Sequence, residues 1–297
     1  ALVKKVQELR HVWVSEIKGN DSVYEERAGL PGLALGADSL YTLEPLKALI
    51  AKHISLDALM ASKRDFAVGV VSLKSGRYTE CTPEQFPHDF MERFLASSSI
   101  PVVFPFVDLK EQRDILVDGG VRNVTPLSSV FRSDPDEIYI LLTSRIDPDV
   151  KGIPDSSVEE YDYEQWQDNL LGTKVSGFDV LKRTIDILTD EIYLDDIRRA
   201  LHWNSVAEAV EGLDVEASSL SAHTVSQMAS VKNALSKARE RNVPIFVLAP
   251  RKWFDEDNQK GSRNSSTDFS PELIQSAIAH GLQVAADRQL WVWPPPA

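Results

Sequence analysis

The chain has 297 residues, 43% of them hydrophobic and 26% charged, which is the composition of a folded globular protein with ample core. A formal net charge of −13, with no Lys/Arg-rich block, excludes nucleic acid as an expected partner. The single cysteine, Cys81, excludes an internal disulfide and favours a reducing compartment, and no apolar run approaches the ~20 residues that span a bilayer.

Leu2, Val6, Leu9 and Trp13 recur at three- and four-residue spacing and predict an opening amphipathic helix. The stretch Gly29-Leu-Pro-Gly-Leu-Ala-Leu-Gly36 breaks that pattern and reads as a loop, its glycines being wrongly spaced for a dinucleotide fingerprint. A short helix is predicted from Leu43 to Ile54. Phe66 to Leu73 is a β-rich run, and Lys74-Ser-Gly-Arg77 reads as a hairpin turn into Tyr78–Cys81. Pro83 to Leu95 is predicted as a helix capped by Thr82. Two short strands follow, Val102–Val107 and Ile115–Val117, joined by a charged turn.

Glu137-Ile-Tyr-Ile-Leu-Leu-Thr143 predicts a buried strand, with Ser133-Asp-Pro-Asp-Glu137 as the turn before it. Residues 147–177 are polar and weakly periodic, the expected surface excursion or lid. Phe178, Leu181, Ile185, Leu188 and Ile192 predict a long helix, and Val225, Met228, Val231 and Leu235 another. Val243–Ala249 is predicted as a strand. Ser270-Pro-Glu272 starts a helix expected to stop at His280-Gly281, where a histidine favours a helix C-terminus. The tail Leu290-Trp-Val-Trp-Pro-Pro-Pro-Ala297 is expected to pack as a covering strand, with a lipid or partner contact as the alternative. Strands alternating with helices imply an α/β sandwich with a mostly parallel sheet in one domain, residues 1–297.

Few residues present themselves as chemistry. Cys81 reads as a small core residue. The histidines, at positions 11, 53, 88, 202, 223 and 280, show no close pair at metal-ligand spacing. Asp255-Glu-Asp-Asn258 has Lys260 and Ser266 where a calcium loop needs glycine and glutamate, so no metal and no cofactor are expected. Val117-Asp-Gly-Gly-Val121 is the informative block. A strand there ends in an aspartate, where open α/β sheets keep their ligands. Alone, the triplet Asp118-Gly119-Gly120 reads as a tight turn, with glycine supplying positive φ.

Ala96-Ser-Ser-Ser-Ile-Pro101, Phe104-Pro-Phe106 and Val117-Asp-Gly-Gly-Val121 together resemble the patatin-like lipid acyl hydrolases in order and spacing. Leu40-Tyr-Thr-Leu-Glu-Pro-Leu46, the strands at Phe66 and Glu137, and Thr267-Asp-Phe-Ser-Pro-Glu-Leu-Ile274 look like further segments of that family. The resemblance implies a three-layer α/β/α sandwich and a serine-type ester hydrolase of phospholipids or other lipid acyl esters, a function in lipid degradation. It implies a Ser–Asp dyad with Asp118 as the second member, and Gly119 and Gly120 as backbone of the site.

The family's Gly-x-Ser-x-Gly elbow does not occur in this sequence, and Ser97, Ser98 and Ser99 do not take its place. The serine is therefore expected outside these residues, in an N-terminal segment, covalently attached or separate, that would fill a gap in the sheet beside Asp118. The alternatives are a non-catalytic binding or scaffolding relative, and an acyltransferase on the same fold. The expected place is the cytoplasm, with peripheral contact at membrane surfaces.

Overall fold

The computed structural model describes residues 2–27, 36–146, 194–206, 243–251 and 268–294, with isolated positions between them. Most of the expected excursion at 147–177, most of the loop at 29–36, most of the helix at 178–192, the helix at 225–235 and the polar loop at 253–267 lie outside the described residues. The chain is a mixed α/β protein in two compact units, residues 1–124 with 253–283 and residues 125–252 with 284–297.

In the first unit, helix α1 (Leu2–His11) runs into a π turn, Val12–Glu16, and the chain turns extended at Ile17. The apolar positions of α1 face solvent: Val3, Val6 and Leu9 are all more than half exposed. Burial begins at Ile17. That residue joins Val23, Tyr24, Leu43, Phe104 and Ile274 in one core cluster, with Tyr24 tilted against Tyr41 at 4.6 Å between ring centres. Strands β1 (Glu25–Glu26) and β2 (Tyr41–Thr42) pair antiparallel, and α2 (Glu44–His53) and α3 (Leu56–Ala61) follow. Pro45 sits at the start of α2, where its missing N–H costs nothing.

Glu16 ties the π turn to the last turn of α2. Its Oε2 accepts from Lys52 Nζ at 2.6 Å and meets His53 Nε2 at 3.0 Å, and these two partners lower its carboxyl from 4.5 to about 2. A depressed carboxylate stabilises the fold above the pKa it has when unfolded, and that contribution is lost as pH falls through the folded value. Glu16→Gln should therefore melt below the parent at pH 7, with the gap closing between about pH 4.5 and pH 2 in thermal melts. A gap independent of pH would mean that the ion pairs do not stabilise.

The main sheet has four strands in the order β4 (Tyr78–Cys81), β3 (Val68–Ser72), β6 (Asp114–Asp118), β5 (Val107–Leu109), every neighbour antiparallel. Both sequential pairs are hairpins. The β3–β4 turn has Gly76 at φ +67, a left-handed conformation that glycine adopts without strain. Connections of four or five residues allow only antiparallel pairing, since a parallel crossover takes a dozen residues or more. The two hairpins then meet through the antiparallel β3–β6 pairing, so the expectation of a mostly parallel sheet fails among the described strands. One pair is parallel, β7 (Ile138–Leu141) with β8 (Ile245–Leu248) in the second unit, and about a hundred residues separate those two in sequence.

Three local expectations are corrected. The predicted strand Val102–Val107 begins only at Val107, because Pro101 and Pro105 lack N–H donors and Val102 lies at φ +73. The predicted helix Pro83–Leu95 begins only at Phe90. Thr82 does cap a turn, its Oγ1 accepting from Gln85 N at 3.3 Å, but Pro87 stops that turn from becoming helix. The last helix, α6 (Pro271–Ala286), continues through Gly281, so His280 is a buried mid-helix residue and not a helix end. Among the described residues, β6 pairs with β3 along Leu116–Asp118 and with β5 along Asp114–Leu116, so Asp118 itself has a strand neighbour on its β3 side only.

In the second unit, α5 (Leu127–Arg132) precedes β7. The strand is buried on one face only. Ile138 and Ile140 are inside, whereas Tyr139 is 52% and Leu141 74% exposed, which corrects the expected two-sided burial. The tail packs as expected. Val292 is buried, Val247 N–H donates to Trp293 O at 3.0 Å, and Trp291 Nε1 donates to Val284 O at 2.9 Å. Among the described residues no helix is long and apolar enough to cross a membrane.

Candidate functional site

Asp118 is the last residue of β6, and a 3₁₀ turn, Gly119–Val121, starts immediately after it. Leu116 and Val117, just before it, are both buried, and Leu116 packs in one core cluster with Val70, Cys81, Ala96 and Leu109. The strand thus delivers the aspartate from a dry core to its rim. Asp118 itself is half-buried.

Its backbone is fixed from two directions. Across β3 it is registered opposite Val70, and on the other side its N–H donates to Ser99 O at 3.0 Å. Its Oδ1 accepts from Gly120 N–H at 2.7 Å. Burial pushes the carboxyl above its ordinary range, and the Gly120 donor opposes that shift without cancelling it. A carboxylate held partly out of water is a better proton acceptor than a free one, and this is the shift that a catalytic aspartate needs.

The two glycines matter through space, not through dihedral freedom, since neither has a positive φ. A Cβ on Gly119 would sit 2.5 Å from the Gly69 carbonyl carbon and 2.6 Å from its oxygen. The turn is therefore pressed backbone against backbone onto β3. A Cβ on Gly120 would stand 3.1 Å from Asp118 Oδ1, crowding the carboxylate. At both positions the structure leaves no room for a side chain without a shift.

Gly69 is a residue of this site that sequence reasoning passed over. A Cβ there would lie 2.7 Å from Tyr78 Oη, so the position is hemmed by Gly119 on one side and the Tyr78 ring on the other. The signal was legible: a lone glycine inside the apolar run Phe66-Ala-Val-Gly-Val-Val71 marks close approach of another backbone. Beyond the turn, Asn123 N–H donates to Gly119 O at 2.9 Å, and Arg122 Nη1 donates to Gly76 O at 2.9 Å. Asn123 Oδ1 is buried with no hydrogen-bond partner among the described residues.

The serine run is brought to Asp118 through main chain. Ser99 is fully buried, and its hydroxyl donates to Leu95 O at 3.1 Å. A hydroxyl committed to a helix carbonyl is a structural group. Cys81 is likewise inert. Burial pushes its thiol up, outweighing the Arg93 guanidinium whose Nη1 lies 3.7 Å from Sγ. No group of three or more His, Cys, Asp or Glu side chains able to hold a metal ion occurs among the described residues. No protein-family model matches this chain, and no curated protein matches it significantly.

Proposed function

We propose that this protein is a serine-type acyl ester hydrolase acting on phospholipids or other lipid acyl esters, with Asp118 as the aspartate of a Ser–Asp dyad. The observation that carries the reading is the partly desolvated Asp118 carboxylate at a strand end, with its pKa raised and its backbone fixed on two sides. In this reading the serine oxygen comes from outside these residues and attacks the acyl carbonyl while Asp118 orients it or takes up its proton. The alcohol leaves, and water then releases the acid from the acyl-enzyme. The patatin-like α/β/α arrangement belongs to the same proposal, as does a cytoplasmic enzyme working peripherally at membranes. The test is turnover of a short p-nitrophenyl ester by the protein and by Asp118→Asn.

One contact favours the non-catalytic alternative. The 2.7 Å bond from Gly120 N–H to Asp118 Oδ1 is what an aspartate does when it only caps a turn. Undiminished turnover by a folded Asp118→Asn variant would make Asp118 only a turn residue, whereas no turnover by the parent would favour the non-catalytic alternative.

With a net charge of −13, attraction to lipid must come from apolar contact. Co-sedimentation with zwitterionic vesicles is therefore expected to change little with ionic strength, even where the Debye length falls to about 3 Å at 1 M salt. Binding that collapses at moderate salt would point instead to a basic patch.

A further inference from the structure

We infer that Arg93 is a positioning residue for Asp118, acting through the end of helix α4 (Phe90–Ala96) and the Ser99 carbonyl; this rests on the catalytic reading of Asp118. Arg93 is a buried cation, with 9% of its surface exposed. Its Nε and Nη2 donate to Asp89 Oδ2 at 3.0 and 2.8 Å, and its guanidinium carbon lies 3.9 Å from the centre of the Phe86 ring. Gln112 Nε2, in the β5–β6 turn, donates to the same Asp89 oxygen at 3.3 Å. Cys81 Sγ of β4 receives Nη1. The Arg93–Asp89 pair thus gathers α4, β4 through Cys81, and, through Gln112 on Asp89, the hairpin that ends in Asp118.

The path onward is continuous. Arg93 O accepts from Ser97 N–H at 3.0 Å, Ala96 O accepts from Ser99 N–H at 3.0 Å, and Ser99 O accepts from Asp118 N–H at 3.0 Å. A buried ion pair is a weak source of net stability but a specific one, because only one arrangement satisfies its donors. That is the property needed to hold a carbonyl at a fixed place. If Arg93 is removed, Asp89 loses its partner, α4 is free to shift, and the Asp118 amide loses its acceptor.

The experiment is a carboxyl-carbon NMR titration of Asp118, with hydrogen exchange at its amide, in the full chain carrying Arg93→Met. The expected result is a downward move of the Asp118 midpoint toward the ordinary carboxylate range, with faster exchange of the Asp118 amide. Arg93→Lys, which keeps the cation but not the two-donor fork, should fall between. Should Arg93→Met fail to fold, Asp89→Asn cuts the same pair and should move both readouts the same way. A folded variant in which melting temperature falls but neither Asp118 readout moves would overturn the proposal and leave Arg93 a purely structural group. Neither readout depends on turnover, so shifted readouts in a protein that hydrolyses no ester would uphold the positioning role while removing the catalytic reading.

Discussion

Asp118→Asn is expected to lower ester turnover by about 10²–10⁴-fold, the usual share of a positioned acid or base, while making the protein more stable at neutral pH. The two effects have one cause. Burial raises the carboxyl's pKa in the fold, so the native state holds the ionised form at a disadvantage. For a carboxylate the sign is then reversed from the usual case. Below the unfolded pKa both states are protonated and the residue costs nothing. As pH rises through the folded pKa, the fold carries an ionised group it solvates poorly, and stability is lost. Asparagine retains an oxygen for the Gly120 donor and never ionises. The melting-temperature advantage of Asp118→Asn should therefore be absent at about pH 3, below the reference aspartate value of about 3.9, and present at pH 7. A variant that loses stability at pH 7 would show that Asp118 serves the turn.

Gly119→Ala is expected to be the most damaging single methyl in the described structure. The added Cβ would meet the Gly69 backbone at 2.5 Å, and neither strand can rotate away as a side chain could. Relief requires pulling the turn off β3, which would break the register Val70 opposite Asp118. The expected loss is about 3 kcal/mol, the upper part of the range for overpacking a tight site, together with turnover. For Gly69→Ala the nearest atoms are those of the Tyr78 ring, a side chain that can shift, so its cost should be nearer about 1 kcal/mol. Denaturant melts of the two variants decide the matter. Equal and small losses would mean that the approach of the two backbones relaxes easily.

Much of the site was legible as sequence. The apolar run Ile115–Val117 ending in Asp118 places a carboxylate at the end of a buried strand, and two glycines after it require a close turn. Binary pattern and turn chemistry are local properties, and they located the β3–β4 hairpin, strands β7 and β8, the helix after Leu43 and the packed tail. Local signals were misjudged where prolines intervene: Pro87 delays the helix expected from Pro83 until Phe90, and Pro101 and Pro105 delay the strand expected from Val102 until Val107.

What the sequence left undecided depends on which segments meet. Read alone, the glycines at 119 and 120 signalled dihedral freedom in a tight turn; the tertiary structure uses them for space, because β3 lies against the turn. The exposed stripe of α1 has the periodicity of a packed helix, but periodicity does not say whether a partner surface faces it. Strand direction was misread for a similar reason: alternating helices and strands suggest parallel crossovers, whereas two short hairpins meet here edge to edge in an antiparallel sheet. The raised pKa of Asp118 is the clearest case. Sequence supplies the carboxyl group, but desolvation is set by what surrounds it, and the core residues, the Ser99 carbonyl and the Gly120 amide converge on it only in the fold.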